Sequence, residues 1–201
     1  KTKKPILLST GASTQKEVDV AVKIISKINK KLILMQATTQ YPSPIEDTNL
    51  RVIDTFTNRN KINVGYSDHT PGITSILGSI ALGACTIEKH FTLDKSSSGP
   101  DHSHSLDVDE FTEMVNKIRE MECALGNHEK KIEKSETNTK IIQRRGIWTI
   151  KKIKKDEKFS RDNIDVLRPN LGISASEFRK ILKKKSKKNY PAFSPLKWND
   201  F

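Results

Sequence analysis

The chain has little sulfur and few aromatic rings: two cysteines, Cys85 and Cys123, among 201 residues, and aromatic side chains at 6%. Without a second cysteine pair or a Cys-x-x-Cys, neither a disulfide framework nor a zinc ribbon is available, and both thiols are expected to be reduced and buried. Long apolar runs are missing too. The longest, around Ile73 to Ala84, is broken by Gly78 and Gly83 and falls short of the roughly 20 residues that cross a bilayer. Lys1 to Lys4, followed by four apolar residues, lacks the apolar core of a secretion signal. These absences predict a cytoplasmic protein with no membrane partner.

Positive charge is plentiful and unevenly placed. The formal net charge is +12, yet residues 1–126 carry fifteen Lys and Arg against fifteen Asp and Glu, while 127–201 carry twenty-one against nine. That step predicts a domain boundary. An anionic partner is one reading of the excess. The lysines at 183, 184, 185, 187 and 188 have no interleaved aromatics and no nucleic-acid motif, so a solvated surface is expected and nucleic acid is not.

The first 126 residues alternate short apolar runs with amphipathic segments. Strands are predicted at Pro5–Leu8, Leu32–Met35, Ile62–Tyr66 and Cys85–Lys89. Thr14-x-x-Glu17 is a capping box that opens a helix with Val18, Ala21, Val22, Ile25 and Ile28 on one face. Further helices are predicted over 49–59 and Thr74–Leu82, and Asp107-x-x-Glu110 caps one reaching Leu125. Four strand-helix units in succession indicate an α/β fold with parallel strands. They amount to half of a (β/α)8 barrel, whose usual length is roughly 250 residues; a four-stranded open sheet is the alternative. The barrel is favoured because Ser9, Thr10, Thr38, Thr39, Ser67 to His69 and Glu88 to His90 all fall at strand C-terminal ends, the face on which barrel enzymes keep their chemistry. Residues 127–143 read as a polar linker. Residues 144–201 read as a small domain with a strand at Gly146–Ile150, extended pieces around Phe159 and Ile164–Leu167, and a helix from Ser174 to Leu182.

His69 and His90 occupy equivalent places on successive strands. Side chains alternate along a strand, so Ser67 with His69 and Glu88 with His90 should face a common side. Parallel neighbours lie roughly 4.8 Å apart, close enough for two imidazoles to bind one divalent metal. Asp101, in the polar loop after His90, is placed either to bind hydroxyls or as a turn residue after Gly99-Pro100. His102 and His104 read as loop histidines. Ser9-Thr10-Gly11 offers small hydroxyls and a glycine, as a phosphate cradle or an ordinary turn would.

Several strings, in this order and spacing, resemble the N-acetylneuraminate (sialic acid) synthase family with its legionaminic and pseudaminic acid relatives: Lys4-Pro5-Ile6-Leu7-Leu8-Ser9-Thr10-Gly11, Tyr41-Pro42-Ser43-Pro44, Gly65-Tyr66-Ser67-Asp68-His69-Thr70, Glu88-Lys89-His90-Phe91-Thr92-Leu93-Asp94 and Gly99-Pro100-Asp101-His102. Val166-Leu167-Arg168-Pro169 and Gly172-Ile173 likewise resemble the antifreeze-like (SAF) domain that ends these synthases. The resemblance implies the C-terminal half of a TIM barrel over 1–126, a linker over 127–143 and an SAF domain over 144–201. It implies condensation of phosphoenolpyruvate with N-acetylmannosamine or a related 2-acetamido sugar, giving a nonulosonic acid and phosphate. A divalent metal, commonly Mn2+ with Mg2+ or Co2+ as alternatives, is implied at His69 and His90, with Asp101 in the catalytic set. Ser9 and Ser67 match contacts to phosphoenolpyruvate, Thr39 stands where some members place an Asn that makes the same contact, and Tyr41 and Asp101 match contacts to the sugar. Arg168 matches an arginine that reaches a partner's barrel, which implies a domain-swapped homodimer. The family's N-terminal barrel half is not in this sequence, so the chain alone is expected to be inactive. A non-catalytic carbohydrate- or protein-binding module is the competing reading.

Overall fold

Helix α1 (Gln15–Ile28) begins at the capping box: the Thr14 hydroxyl accepts from the Glu17 amide, and the Glu17 carboxylate accepts from the Thr14 amide at 2.8 Å. The same reciprocal pair, Asp107 with Glu110, opens α4 (Val108–Leu125). Both boxes satisfy orphan amides of a first helical turn and fix where each helix starts. Between them the computed structural model, which describes residues 3–201, holds α2 (Val52–Asn60) and α3 (Thr74–Ala81).

These helices alternate with β1 (Ile6–Ser9), β2 (Leu32–Ala37), β3 (Asn63–Asp68) and β4 (Ile87–Lys89), which form one parallel sheet in sequential order. Its register pairs Ser9 with Met35, Met35 with Gly65, and Ser67 with Glu88. Alternation then divides the side chains. Leu32, Leu34, Val64 and Tyr66 face the helices and build the core with Val18, Val22, Ile53, Phe56, Ile76, Ile80, Met114 and Ile118. Leu7, Ser9, Met35, Gly65, Ser67 and Glu88 lie on the opposite face, which carries the candidate site. Gly65 has no room for a side chain: a Cβ there would stand 2.3 Å from Met35 Sδ and 2.7 Å from the Thr86 carbonyl.

Two expectations are corrected. Ile28 is 71% exposed, because it closes the last turn of α1 at the strand-start end, where Asn29 bonds the Lys4 carbonyl. Both cysteines are exposed: β4 starts two residues after Cys85, and Cys123 lies off the α4 stripe of Met114, Ile118 and Met121. The lysines at 183, 184, 185, 187 and 188 are all exposed, and two of them also make contacts. Lys184 lies 4.8 Å over the Phe201 ring, and Lys188 pairs at 2.9 Å with Asp200, itself only 4% exposed.

The chain clusters into two compact units that part between Asn127 and His128. In the second, α5 (Thr137–Gln143) precedes an antiparallel pair, β5 (Gly146–Thr149) and β6 (Ile164–Leu167), and α6 (Phe178–Ile181) follows. Ile147, Ile153, Phe159, Ile164, Ile173, Ile181, Tyr190 and Leu196 make its core. The helix expected from Ser174 to Leu182 is a 3-10 turn, Ala175–Glu177, followed by one helical turn, and the Ser174 side chain makes no cap bond. Among the described residues no helix is long and apolar enough to cross a membrane.

Candidate functional site

The site grows from the C-terminal ends of β3 and β4, where the chain changes face at each residue. Tyr66, Asp68 and Lys89 point toward the helices; Ser67, His69, Glu88 and His90 follow the other parity. On the helix side the Asp68 and Lys89 side chains are 0% and 2% exposed and pair at 2.6 Å. The Tyr66 hydroxyl, the Thr70 amide and the hydroxyls of Thr70 and Ser75 surround Asp68 Oδ1, and Lys89 also donates to the Thr70 carbonyl. A buried carboxylate is tolerable only when it is paired and hydrogen-bonded in this way. The pair joins the last residues of two strands, and each partner is followed directly by a candidate histidine.

On the other side the His69 and His90 rings stand 5.4 Å apart, edge to face. His69 is nearly buried, and its Nδ1 lies 2.8 Å from the Thr38 carbonyl, which leaves Nε2 as its available nitrogen. The Ser43 amide donates to the His69 carbonyl at 2.8 Å, so the segment before it is held against the strand end. Tyr41 accordingly lies 4.2 Å from the His69 ring and 5.4 Å from the His90 ring. Burial holds the His90 imidazole below its ordinary pKa, helped by His69, His104 and Lys89 and opposed by Asp101.

The loop after His90 returns to its own strand. The Leu106 amide donates to the His90 carbonyl, the Thr92 amide donates to the Leu106 carbonyl, and Phe91 and Leu106 form a parallel bridge. A 3-10 turn over His102–His104 follows Asp101. Residues three apart eclipse in such a turn, so Asp101 and His104 share a side. Asp101 Oδ2 lies 3.8 Å from His90 Nδ1, and its Oδ1 lies 3.8 Å from His104 Nε2. His102 turns elsewhere and bonds the Thr92 hydroxyl at 2.7 Å.

Among the described residues, one group of ligand-bearing side chains converges closely enough for a metal: His90, Asp101 and His104, with donor atoms within 4.8 Å of one another. Imidazole nitrogen and carboxylate oxygen suit first-row divalent cations, so the group could bind one. His104 was read from sequence as an ordinary loop residue; the Asp101-x-x-His104 spacing in a tight polar turn is the signal that would have singled it out.

The other sequence candidates are dispersed. Ser67, 2% exposed, donates to Glu88 at 2.8 Å, so its hydroxyl hydrogen is engaged by a carboxylate. Ser9 ends β1 on the same face and is exposed, whereas the hydroxyl of its neighbour Thr10 is tied to the Met35 carbonyl. Gly11 meets Thr39 so closely that a Cβ would stand 1.7 Å from Thr39 Oγ1. A cleft of about 620 Å3 opens beside these two strand ends, lined by Thr10, Thr14, Thr38 and Thr39 among others. No histidine lines it, so the concavity and the imidazoles are neighbouring features rather than one pocket. Arg168 is exposed at the end of β6 and shares a concave patch with Arg145 and Asp165 in the second unit.

Comparison with known proteins adds to this geometry. A model of the NeuB family matches residues 1–130. The chain is 42% identical to the N,N'-diacetyllegionaminic acid synthase of Campylobacter jejuni, over 94% of this chain and 58% of that protein. It is 37% identical to the pseudaminic acid synthase of the same organism, over 100% of this chain and 59% of that protein. The crystal structure of the N-acetylneuraminic acid (sialic acid) synthetase of Leptospira borgpetersenii, determined with citrate, superposes with a TM-score of 0.63 at 31% identity, over 68% of this chain and 48% of that one. The shared part is an α/β fold whose parallel sheet curls as half of a barrel. The chain thus spans under two thirds of the length of these relatives.

Proposed function

The chain belongs to the NeuB family, and on that premise we propose that the protein carrying it condenses phosphoenolpyruvate with N-acetylmannosamine or a related 2-acetamido sugar in the cytoplasm, as a transferase that forms a carbon–carbon bond. C3 of phosphoenolpyruvate joins the aldehyde carbon of the open-chain sugar, water adds at C2, and the phosphate leaves to give a nonulosonic acid. Relatives named as legionaminic and pseudaminic acid synthases support this class of reaction. The observation that carries it is the meeting of two strand-end imidazoles, His69 and His90 at 5.4 Å, under the ring of Tyr41.

In this reading His69 and His90 hold a divalent metal, Mn2+ with Mg2+ or Co2+ as alternatives. When bound, such an ion supplies Lewis-acid polarisation of a carbonyl oxygen. Tyr41, 45% exposed, presents an amphipathic surface to the sugar, and the exposed Asp101 carboxylate accepts from its hydroxyls. Ser9 and Thr39 offer hydroxyl donors to the phosphate and carboxylate of phosphoenolpyruvate. Ser67 serves the same anion once its hydrogen bond to Glu88 is exchanged. Thr38, through its carbonyl, fixes the orientation of the His69 ring.

We further propose a barrel half over 1–126, a linker over 127–143 and an antifreeze-like domain over 144–201 in a domain-swapped homodimer, with the partner's copy of Arg168 supplying a cation to the anionic substrate. The test uses the intact protein. His69→Ala and His90→Ala should each abolish metal-dependent release of phosphate from phosphoenolpyruvate, and full activity in either variant refutes the assignment.

A further inference from the structure

The charges buried between β3 and β4 need a reason other than stability. An apolar pair of similar volume often holds a domain together as well as a buried ion pair or better, whereas fixing register is the best-attested use of buried polar groups. Asp68 and Lys89 are register partners, and the ladder between the two strands ends with them. His69 and His90 therefore project one residue beyond its last rung. Lys89 spans that gap: its ammonium donates to Asp68 Oδ2 at 2.6 Å and to the Thr70 carbonyl, the residues on either side of His69. Asp68 Oδ1 closes the same bracket by accepting from the Thr70 amide at 3.1 Å and the Thr70 hydroxyl at 2.9 Å. The hydroxyls of Tyr66 and Ser75 donate to that oxygen too, each at 2.9 Å. The clamp on the histidine of β3 thus belongs to the residue that immediately precedes the histidine of β4.

We infer that Asp68 and Lys89 are positioning residues, which act through the main chain to set the separation and orientation of the His69 and His90 imidazoles. The inference rests on the reading of those two imidazoles as ligands of a divalent metal. Both charged side chains point toward the helices and both imidazoles follow the opposite parity, so the pair reaches the site through the backbone and not by contact. Other bonds hold the remaining parts of His69: its ring is anchored to the Thr38 carbonyl, and its own carbonyl accepts from the Ser43 amide. Those anchors tie His69 to β2 and the segment after it. The Lys89 ammonium ties it to β4, and with it to His90.

The experiment compares the intact parent protein with Asp68→Asn/Lys89→Met, which removes both charges and leaves their sum at zero. Urea midpoints by circular dichroism report folding. Titration of the chelator-stripped protein with Co2+ reports affinity and the visible d–d bands, under conditions in which each variant is fully folded. The double variant should keep most of the parent's midpoint yet bind Co2+ about tenfold more weakly, the lower end of what changes outside the ligand shell produce, and with shifted bands. A merely structural role would move the midpoint and leave the bands of the folded protein alone. Tyr66→Phe keeps both charges, removes one donor to Asp68, and should shift the bands in the same direction by less; it decides the matter if the double variant does not fold. Parent-like affinity and bands in the deciding variant, with Co2+ lost in His69→Ala and His90→Ala, overturn the inference and leave the two-histidine reading standing. A parent protein that binds no Co2+, or His69→Ala and His90→Ala variants that bind it as the parent does, overturns both.

Discussion

Replacing Lys89 with methionine leaves the Asp68 carboxylate without its cation in a place that water does not reach. The two side chains are 2% and 0% exposed and meet at 2.6 Å, so little of the interaction is screened. Breaking such a pair from one side costs about 3–5 kcal/mol, most of it the burden of the charge left behind. Against a typical total of about 5–15 kcal/mol for a domain, that is a large share. The double variant Asp68→Asn/Lys89→Met removes both charges and should recover most of the loss, as a double-mutant cycle would register. Urea denaturation followed by far-UV circular dichroism reads the helices, the four longest of which lie before Asn127. Both tryptophans, Trp148 and Trp198, belong to the second unit, so their fluorescence provides an internal control. The dichroism midpoint should fall in Lys89→Met while the fluorescence midpoint holds. Coincident dichroism curves for Lys89→Met and the parent would refute the claim that this pair secures the ends of β3 and β4.

Two further outcomes follow from the first unit. Gly65→Ala drives a methyl toward the Thr86 carbonyl and Met35 Sδ and should cost about 1–3 kcal/mol, read as a lower urea midpoint by dichroism. Glu110 is held below its ordinary value of 4.5, first by Lys95 and then by the Asp107 amide. A carboxyl depressed in the folded state contributes stability above its unfolded pKa and loses it as pH falls through the folded one. Thermal melts should therefore separate Glu110→Gln from the parent at pH 7 and converge at pH values well under 4.5.

Much of the frame was legible because its signals are local. Two capping boxes announced α1 and α4, and short apolar runs marked four strands to within two residues at each end. The pairing of His69 with His90 was legible for a different reason: alternation along a strand and sequential parallel order together determine which side chains become neighbours. What escaped notice depends on contacts that period alone does not encode. Parity assigns Asp68 and Lys89 to the helix side, but only the hydroxyls of Tyr66, Thr70 and Ser75 make charges acceptable there. Ser67 was read as open to a ligand, and its bond to Glu88 arises from a register that no single strand reveals. His104 was dismissed because a polar loop has no period; its place follows from one tight turn and from the return of Leu106 to His90.

That return separates the base of the loop from its tip. Because the Leu106 amide bonds the His90 carbonyl and the Thr92 amide bonds the Leu106 carbonyl, the intervening residues form a loop closed at its base by main-chain hydrogen bonds. Substitutions from Ser96 to Pro100 leave in place the bonds that set the β3–β4 register and the capping box of α4, whereas Lys95 reaches Glu110 of that box. The tip of the loop and the integrity of the sheet are thereby separable properties of this unit.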